Sequence, residues 1–153
     1  MKTLFSILLV CFPLLLSAQK TKLAQLQFIT TSGQVLNQQK VPKGQALLLA
    51  YFRTDCDYCR HSALQIKTQA ASYPAFIWMI SPEESDIITI FEEMNGLYSI
   101  PRLVVGRDHS KSMHDWFQFE AIPFYVLFDD EGKQVGSFGQ FPSSTEIQKL
   151  LSK

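Results

Sequence analysis

Cys56 and Cys59, separated by Asp57 and Tyr58, are the residues of this 153-residue chain best suited to chemistry. Two thiols at this spacing can close a small disulfide or keep one sulfur as a reactive thiolate. The apolar run Ala46 to Phe52 lies just upstream. A strand that hands the pair to the first turn of a helix sets the first sulfur among unpaired backbone N–H groups, at the positive end of the helix dipole. That lowers the thiol pKa and suits thiol–disulfide exchange. The neighbouring charges are mixed. Asp55 and Asp57 oppose a thiolate on Cys56, whereas Arg60 and His61 favour it, so only a modest lowering is expected.

The third cysteine, Cys11, belongs to a different segment. Lys2 supplies a positive start, Thr3 to Leu16 is an almost unbroken apolar stretch, and Leu16-Ser17-Ala18 precedes Gln19. This pattern reads as a secretory signal peptide over residues 1–18, followed by one domain over 19–153. The stretch is short for a membrane span, which needs about 20 apolar residues. Val10 is not the small residue wanted before a lipid-modified cysteine. Cleavage leaves Cys56 and Cys59 as the only thiols, in a periplasmic or secreted setting where disulfides persist. No stable membrane association is then expected. One pair closing so small a loop cannot staple a whole domain, so the chain is not a disulfide-dense scaffold.

Composition agrees with one globular domain: 46% apolar and 18% charged residues, with a formal net charge of zero. Zero net charge gives no electrostatic basis for nucleic acid or an anionic membrane as partner. A monomer is expected.

The elements that position the pair follow from pattern. Leu26 to Thr30, Ser32-Gly33 and Gln34 to Leu36 read as a β-hairpin. Pro42-Lys43-Gly44 is a turn, and Ala46 to Phe52 a strand buried on both faces. A helix is expected from near Cys56 to about Ser72, with Ala63, Ile66 and Ala70 at helical spacing and Pro74 as its stop. Ala75 to Ile80 is a second buried strand. Ser81-Pro82-Glu83-Glu84 predicts a helix start, with Ser81 as N-cap and Glu84 completing a capping box. Ile87, Ile90, Phe91 and Met94 then predict its buried face, and Gly96 its end. Leu103 to Val105 is a short strand and Ser112 to Phe119 a short helix. Phe124 to Phe128 and Lys133 to Phe138 form a hairpin around Asp129 to Gly132. Ser143 to Glu146 is a capping box opening a last helix with Ile147, Leu150 and Leu151. Strands alternating with helices predict an α/β domain with a central sheet flanked by helices.

Taken in order, these landmarks resemble the thioredoxin-like superfamily, and within it the exported TlpA-type thiol–disulfide oxidoreductases and redoxins. The residues that carry the likeness are Ser32-Gly33-Gln34-Val35, the strand before Cys56-x-x-Cys59, Ala121-Ile122-Pro123 ahead of a later strand, and Asp130-Glu131-Gly132-Lys133 after it. The resemblance spans roughly residues 24–152. It implies a thioredoxin-like fold with a central mixed sheet and an N-terminal β-hairpin. It implies that Cys56 is the nucleophile and Cys59 the resolving thiol. It also implies that Pro123 follows a cis peptide and that Ile122 and Pro123 wall the site. Tyr58, inside the CxxC, is expected to be exposed and to add to a substrate surface. No metal, nucleotide, flavin or other cofactor is implied. The implied partners are protein thiols or disulfides and a redox partner protein.

Three positions depart from the family pattern. Asp55 stands where a tryptophan is usual, Asp57-Tyr58 is neither Gly-Pro nor Pro-His, and Ala50 stands where thioredoxins carry a buried acid. Glu120 is the nearest acid in sequence to Pro123, with a surface role expected. The direction of exchange is left open.

Other readings compete. Zinc could be held by Cys56, Cys59, His109 and His114, but the long gap between the halves is unlike a compact zinc module. A copper site could use the cysteines with His109, although copper-handling relatives space their cysteines by three residues. Surface placement is expected for all three histidines. A peroxidase would need proline and threonine where Leu49 and Arg53 stand. A redox-inactive binding module with a structural disulfide is the remaining alternative. The aromatic residues Trp116, Phe117, Phe119, Phe124 and Tyr125 are expected mostly in the core, with some left to form an apolar rim beside Pro123.

Overall fold

The computed structural model describes residues 21–152. The signal peptide expected over residues 1–18, with Cys11, lies outside the described residues. The chain opens with a single helical turn, α1 (Lys22–Gln25), capped by the Thr21 side chain. So short an element carries no periodicity to read. The expected hairpin follows as β1 (Gln27–Thr30) and β2 (Val35–Asn37), turning at Gly33 with φ 82°. Next come β3 (Leu47–Tyr51), α2 (Asp57–Gln69), a 3-10 turn at Ala70–Ser72, β4 (Phe76–Ser81) and α3 (Ser85–Asn95). β5 (Leu103–Arg107), α4 (Ser112–Phe117), β6 (Phe124–Phe128), β7 (Gln134–Phe138) and α5 (Ser144–Leu151) complete it.

The seven strands form one mixed sheet in the order β2-β1-β5-β4-β3-β6-β7. β3, β4 and β5 are parallel neighbours, while β6 and β7 add antiparallel on one side and β1 and β2 on the other. The chain steps from β3 to β4 to β5 in one direction, so two right-handed crossovers place α2 and α3 on the same face. That face buries Leu48, Ala50 and Phe52 under Cys59, Ala63 and Ile66 of α2, Ile88 and Phe91 of α3, and Ile147 of α5. The alternate residues Leu47, Leu49 and Tyr51 point the other way, against Leu23 of α1 and Met113 of α4. β3 is therefore buried along its whole length, as its unbroken apolar run predicts.

Three expectations are corrected. Ser81 does not cap α3. It is the last residue of β4, with Asp108 donating its backbone N–H to the Ser81 carbonyl, and the helix begins at Ser85 behind Glu84, which makes no side-chain cap. Sheet pairing with β5 holds the backbone of Ser81 extended beyond the point where the capping box would start. The buried face of α3 is also rotated from the predicted one. Ile88 and Phe91 are buried, but Ile87, Ile90 and Met94 are 44%, 56% and 82% exposed. Apolar side chains flank Phe91 on both sides, and the sheet takes the side that carries Ile88. The helix expected over 112–119 ends at Phe117, because Gln118 takes a left-handed conformation with φ 47°. The capping box at Ser143 and Glu146 is formed as read. Among the described residues no helix is long and apolar enough to cross a membrane.

Candidate active site

β3 delivers the chain to the reactive pair. Phe52 donates its backbone N–H to the Ile80 carbonyl (3.0 Å), prolonging the sheet by one residue, and Arg53 to Asp55 then turn the chain into α2. Cys56 is the N-cap of that helix, in extended conformation, and its Sγ accepts the backbone N–H of Cys59 at 3.1 Å. The sulfur thus occupies the place of a capping oxygen, where a thiolate meets a free helix N–H and the dipole. Cys56 and Cys59 are joined as a disulfide across a Cα–Cα distance of 5.2 Å. Their exposures differ: Cys56 is half-buried, whereas Cys59 is 1% exposed within the core. An incoming group can therefore reach Cys56 but not Cys59.

The acids beside Cys56 are matched by arginines. Arg53 donates through Nε and a terminal nitrogen to the two oxygens of Asp55, at 2.9 and 2.8 Å. That fork holds the Asp55 carboxyl below the usual carboxylate range. Arg60 pairs with Asp57 one turn along. The Asp55–Arg53 pair was not part of the sequence reading, which set only Arg60 and His61 against the two acids. Glu83 supplies a further support. Its carboxylate accepts the Thr54 backbone N–H (2.7 Å), the Thr54 hydroxyl (3.0 Å) and the Ser81 hydroxyl (3.0 Å), so the loop after β4 holds the loop that presents Cys56.

The Ile122–Pro123 peptide is cis. Ile122, Pro123 and Tyr58 line one groove of about 380 Å³, shared with His61, Ser62 and Gln65 of α2. The three residues expected to form a substrate surface are therefore brought together beside the CxxC, and Tyr58 is 78% exposed. Ile122 also lines a larger groove of about 750 Å³ with Arg53, Glu83, Lys111, His114 and the exposed Glu120. Ala50 pairs in register with Tyr125 of β6. Burial pushes the Tyr125 hydroxyl up to about 12.

His61, His109 and His114 are exposed, and among the described residues no three His, Cys, Asp or Glu side chains cluster as a metal site. The aromatic residues mostly pack inward, with Phe119 stacked on Phe124 at 4.6 Å and tilted against Tyr51 at 4.7 Å. Of the five, only Trp116 is exposed. Glu83, Arg53 and Ser62 were missed as site residues. Ser62 could have been found, since it repeats the helical spacing of Cys59, Ala63 and Ile66 and is the polar member of that buried face. Glu83 could not, because its partner Thr54 is distant in sequence.

A mixed sheet of this order, with a CxxC capping the helix after a buried strand and a cis-proline loop beside it, is the thioredoxin-like fold. Solved structures agree. A secreted disulfide oxidoreductase from Mycobacterium tuberculosis, homologous to E. coli DsbE, superposes with a TM-score of 0.67 at 15% identity, covering 86% of this chain and 96% of its own. The thioredoxin domain of a thiol–disulfide oxidoreductase from Bacteroides vulgatus gives 0.65 at 17% identity, covering 82% and 92%. The bacterioferritin comigratory protein of Xanthomonas campestris, studied for alkyl peroxide reduction, gives 0.66 at 12% identity, covering 85% and 90%. No protein-family model and no curated protein matches the sequence.

Proposed function

We propose that this chain is an exported thiol–disulfide oxidoreductase that exchanges disulfides with protein thiols through Cys56 and Cys59. The observation that carries the reading is the position of the pair: an accessible sulfur capping a helix, bonded to a buried sulfur one turn deeper, beside the groove of Tyr58, Ile122 and Pro123. In the reducing direction, the Cys56 thiolate attacks a substrate disulfide, forming a mixed disulfide and expelling one substrate thiolate. Cys59 then attacks the Cys56 sulfur, the second substrate thiolate leaves, and the protein is left oxidised. A redox partner returns it to the dithiol. The reverse sequence oxidises a substrate dithiol. Ile122 and Pro123 form the wall against which an extended substrate segment lies, and Tyr58 extends that surface.

The reading is tested by equilibrating residues 19–153 with defined glutathione or dithiothreitol ratios and by following insulin reduction. A potential near −270 mV marks a reductant, and one near or above about −200 mV an oxidant or isomerase. A Cys59→Ser protein is expected to trap mixed disulfides with extract proteins through Cys56. A pair that neither equilibrates nor reduces insulin would leave the redox-inactive binding module as the better account.

A further inference from the structure

The larger of the two grooves lined by Ile122, about 750 Å³, has a buried phenol in its wall. Tyr51 ends β3, in register with Ile80 of β4 and Phe124 of β6. Its ring lies 4.7 Å from that of Phe119, which stacks on Phe124 at 4.6 Å. Tyr51 is only 6% exposed, yet its hydroxyl makes no hydrogen bond among the described residues. That hydroxyl is not sealed in the core, since Tyr51 lines the groove. A buried donor without a protein partner is one that a ligand in the groove can satisfy. Around it, Pro82, Ile87, Phe119 and Ile122 supply apolar surface. The charges of the lining are largely committed: Arg53 is paired with Asp55, Glu84 with Arg107, and Glu83 accepts from Thr54 and Ser81. Lys111 and Glu120 carry opposite signs. No strong field of one sign is left, which suits a neutral peptide segment better than an ion. The groove is also close to the chemistry. Arg53 lies three residues before Cys56, so their Cα atoms are within about 11 Å. Cys56 and Ile122 pack against the same core cluster. An extended chain covers that distance in about three residues.

We propose that this groove is a second substrate subsite, which holds a polypeptide two or three residues from its reacting cysteine. An apolar side chain of the substrate lies against Ile87, Phe119 and Ile122, and the Tyr51 hydroxyl donates to a peptide carbonyl of the same segment. A substrate chain crossing Ile122 is then read in two places, in the groove of Tyr58 and in that of Tyr51. Low-molecular-weight disulfides end before they reach the second one, so the subsite selects for polypeptides. The inference deepens the exchange reading and rests on it.

Short peptides with a central cysteine, carried as its mixed disulfide with thionitrobenzoate, test the subsite. The Cys56 thiolate of the reduced protein attacks the peptide sulfur, the bond to thionitrobenzoate breaks, and the electron pair leaves with that coloured thiolate. The peptides carry phenylalanine two or three residues from the cysteine, on either side, among alanines. The same disulfide of N-acetylcysteine amide is the reference. The best phenylalanine peptide is expected to react about tenfold faster than the reference. Tyr51→Phe is expected to cut that ratio about fivefold. It should leave the urea midpoint unchanged, because the hydroxyl serves no protein partner. Ile87→Glu, at a half-exposed position that tolerates a charge, is expected to cut the ratio by a similar factor. A wild type that reacts equally fast with peptides and reference overturns the inference. So does a ratio that neither substitution moves, or a Tyr51→Phe protein with a lowered urea midpoint, which would give the hydroxyl a structural role. Reaction with the reference but no peptide preference removes the subsite alone. A protein that reacts with none of these disulfides removes the exchange reading and the subsite together.

Discussion

β3 and β4 are parallel neighbours, and each hands the chain to a helix at the same edge of the sheet. After β3, the chain reaches a helix whose first N–H groups meet a sulfur, with Cys56 as N-cap. After β4, it reaches a helix whose N-cap, Glu84, makes no side-chain cap and pairs instead with Arg107 of β5. The preceding residue, Glu83, turns its carboxylate to Thr54 of the first junction. The polar groups at the second junction thus serve its neighbours rather than its own helix. The helices differ in the same sense. α2 buries Cys59, Ala63 and Ile66 and exposes Leu64, while α3 buries Ile88 and Phe91 and exposes three apolar residues, Ile87, Ile90 and Met94. Two copies of one strand-to-helix unit have divided the work: one presents the chemistry and the other braces it.

The largest expected effect tests how differently the two helices are packed. Ile66 lies fully buried between α2 and the sheet, so Ile66→Ala is expected to cost about 2–5 kcal/mol. Met94 is an apolar residue of similar size on α3, but Met94→Ala is expected to stay within about 0.5 kcal/mol. Urea unfolding of the two proteins gives the contrast directly. Comparable losses would mean that Met94 is covered in solution.

The next effect tests the brace. Glu83→Ala removes the acceptor for the Thr54 N–H and hydroxyl and for the Ser81 hydroxyl. A loss of about 1–3 kcal/mol is expected. A larger share of the effect should fall on the loop: faster amide exchange at Thr54, and slower reaction of Cys56 with an alkylating reagent. Unchanged exchange at Thr54 would show that the first junction holds itself.

These contrasts also mark what was readable in the residue pattern. The first junction was legible because its signals are local: an apolar run, a CxxC and helical spacing through Ala63, Ile66 and Ala70. A central sheet flanked by helices followed from the alternation of strands and helices, and Ile122-Pro123 was placed by family likeness. The second junction misled because Ser81-Pro82-Glu83-Glu84 has the composition of a capping box. Sheet pairing claimed Ser81, and a residue far away in sequence claimed Glu83. Local preference yielded to tertiary contacts at both positions. The face of α3 was misjudged because Ile87, Ile90 and Met94 are as apolar as the buried Ile88 and Phe91, so spacing alone fits more than one face. Tyr125 was expected among the core aromatics, and it is buried there.

The smallest expected effect separates the charges of the first junction from its geometry. Asp55 is solvent-exposed, and its carboxyl is held below the usual range chiefly by its hydrogen bond from Arg53. A carboxyl whose folded pKa is lowered contributes stability that is present above its unfolded value and is lost as pH falls through the folded one. The urea midpoint of Asp55→Asn should therefore lie slightly below that of the wild type at neutral pH. The gap should close on acidification through the carboxylate range, and added salt should narrow it, because exposed pairs are screened. The same substitution removes a negative charge beside Cys56 and leaves Arg53 without its partner, so the reduced Cys56 thiol should titrate lower than in the wild type. A small stability change with a lowered thiol pKa would assign Asp55 to the electrostatics of the nucleophile rather than to the fold. A thiol pKa that does not move would mean that the Arg53–Asp55 pair acts on Cys56 as a neutral unit, and that capping of α2 alone sets the reactivity of the sulfur.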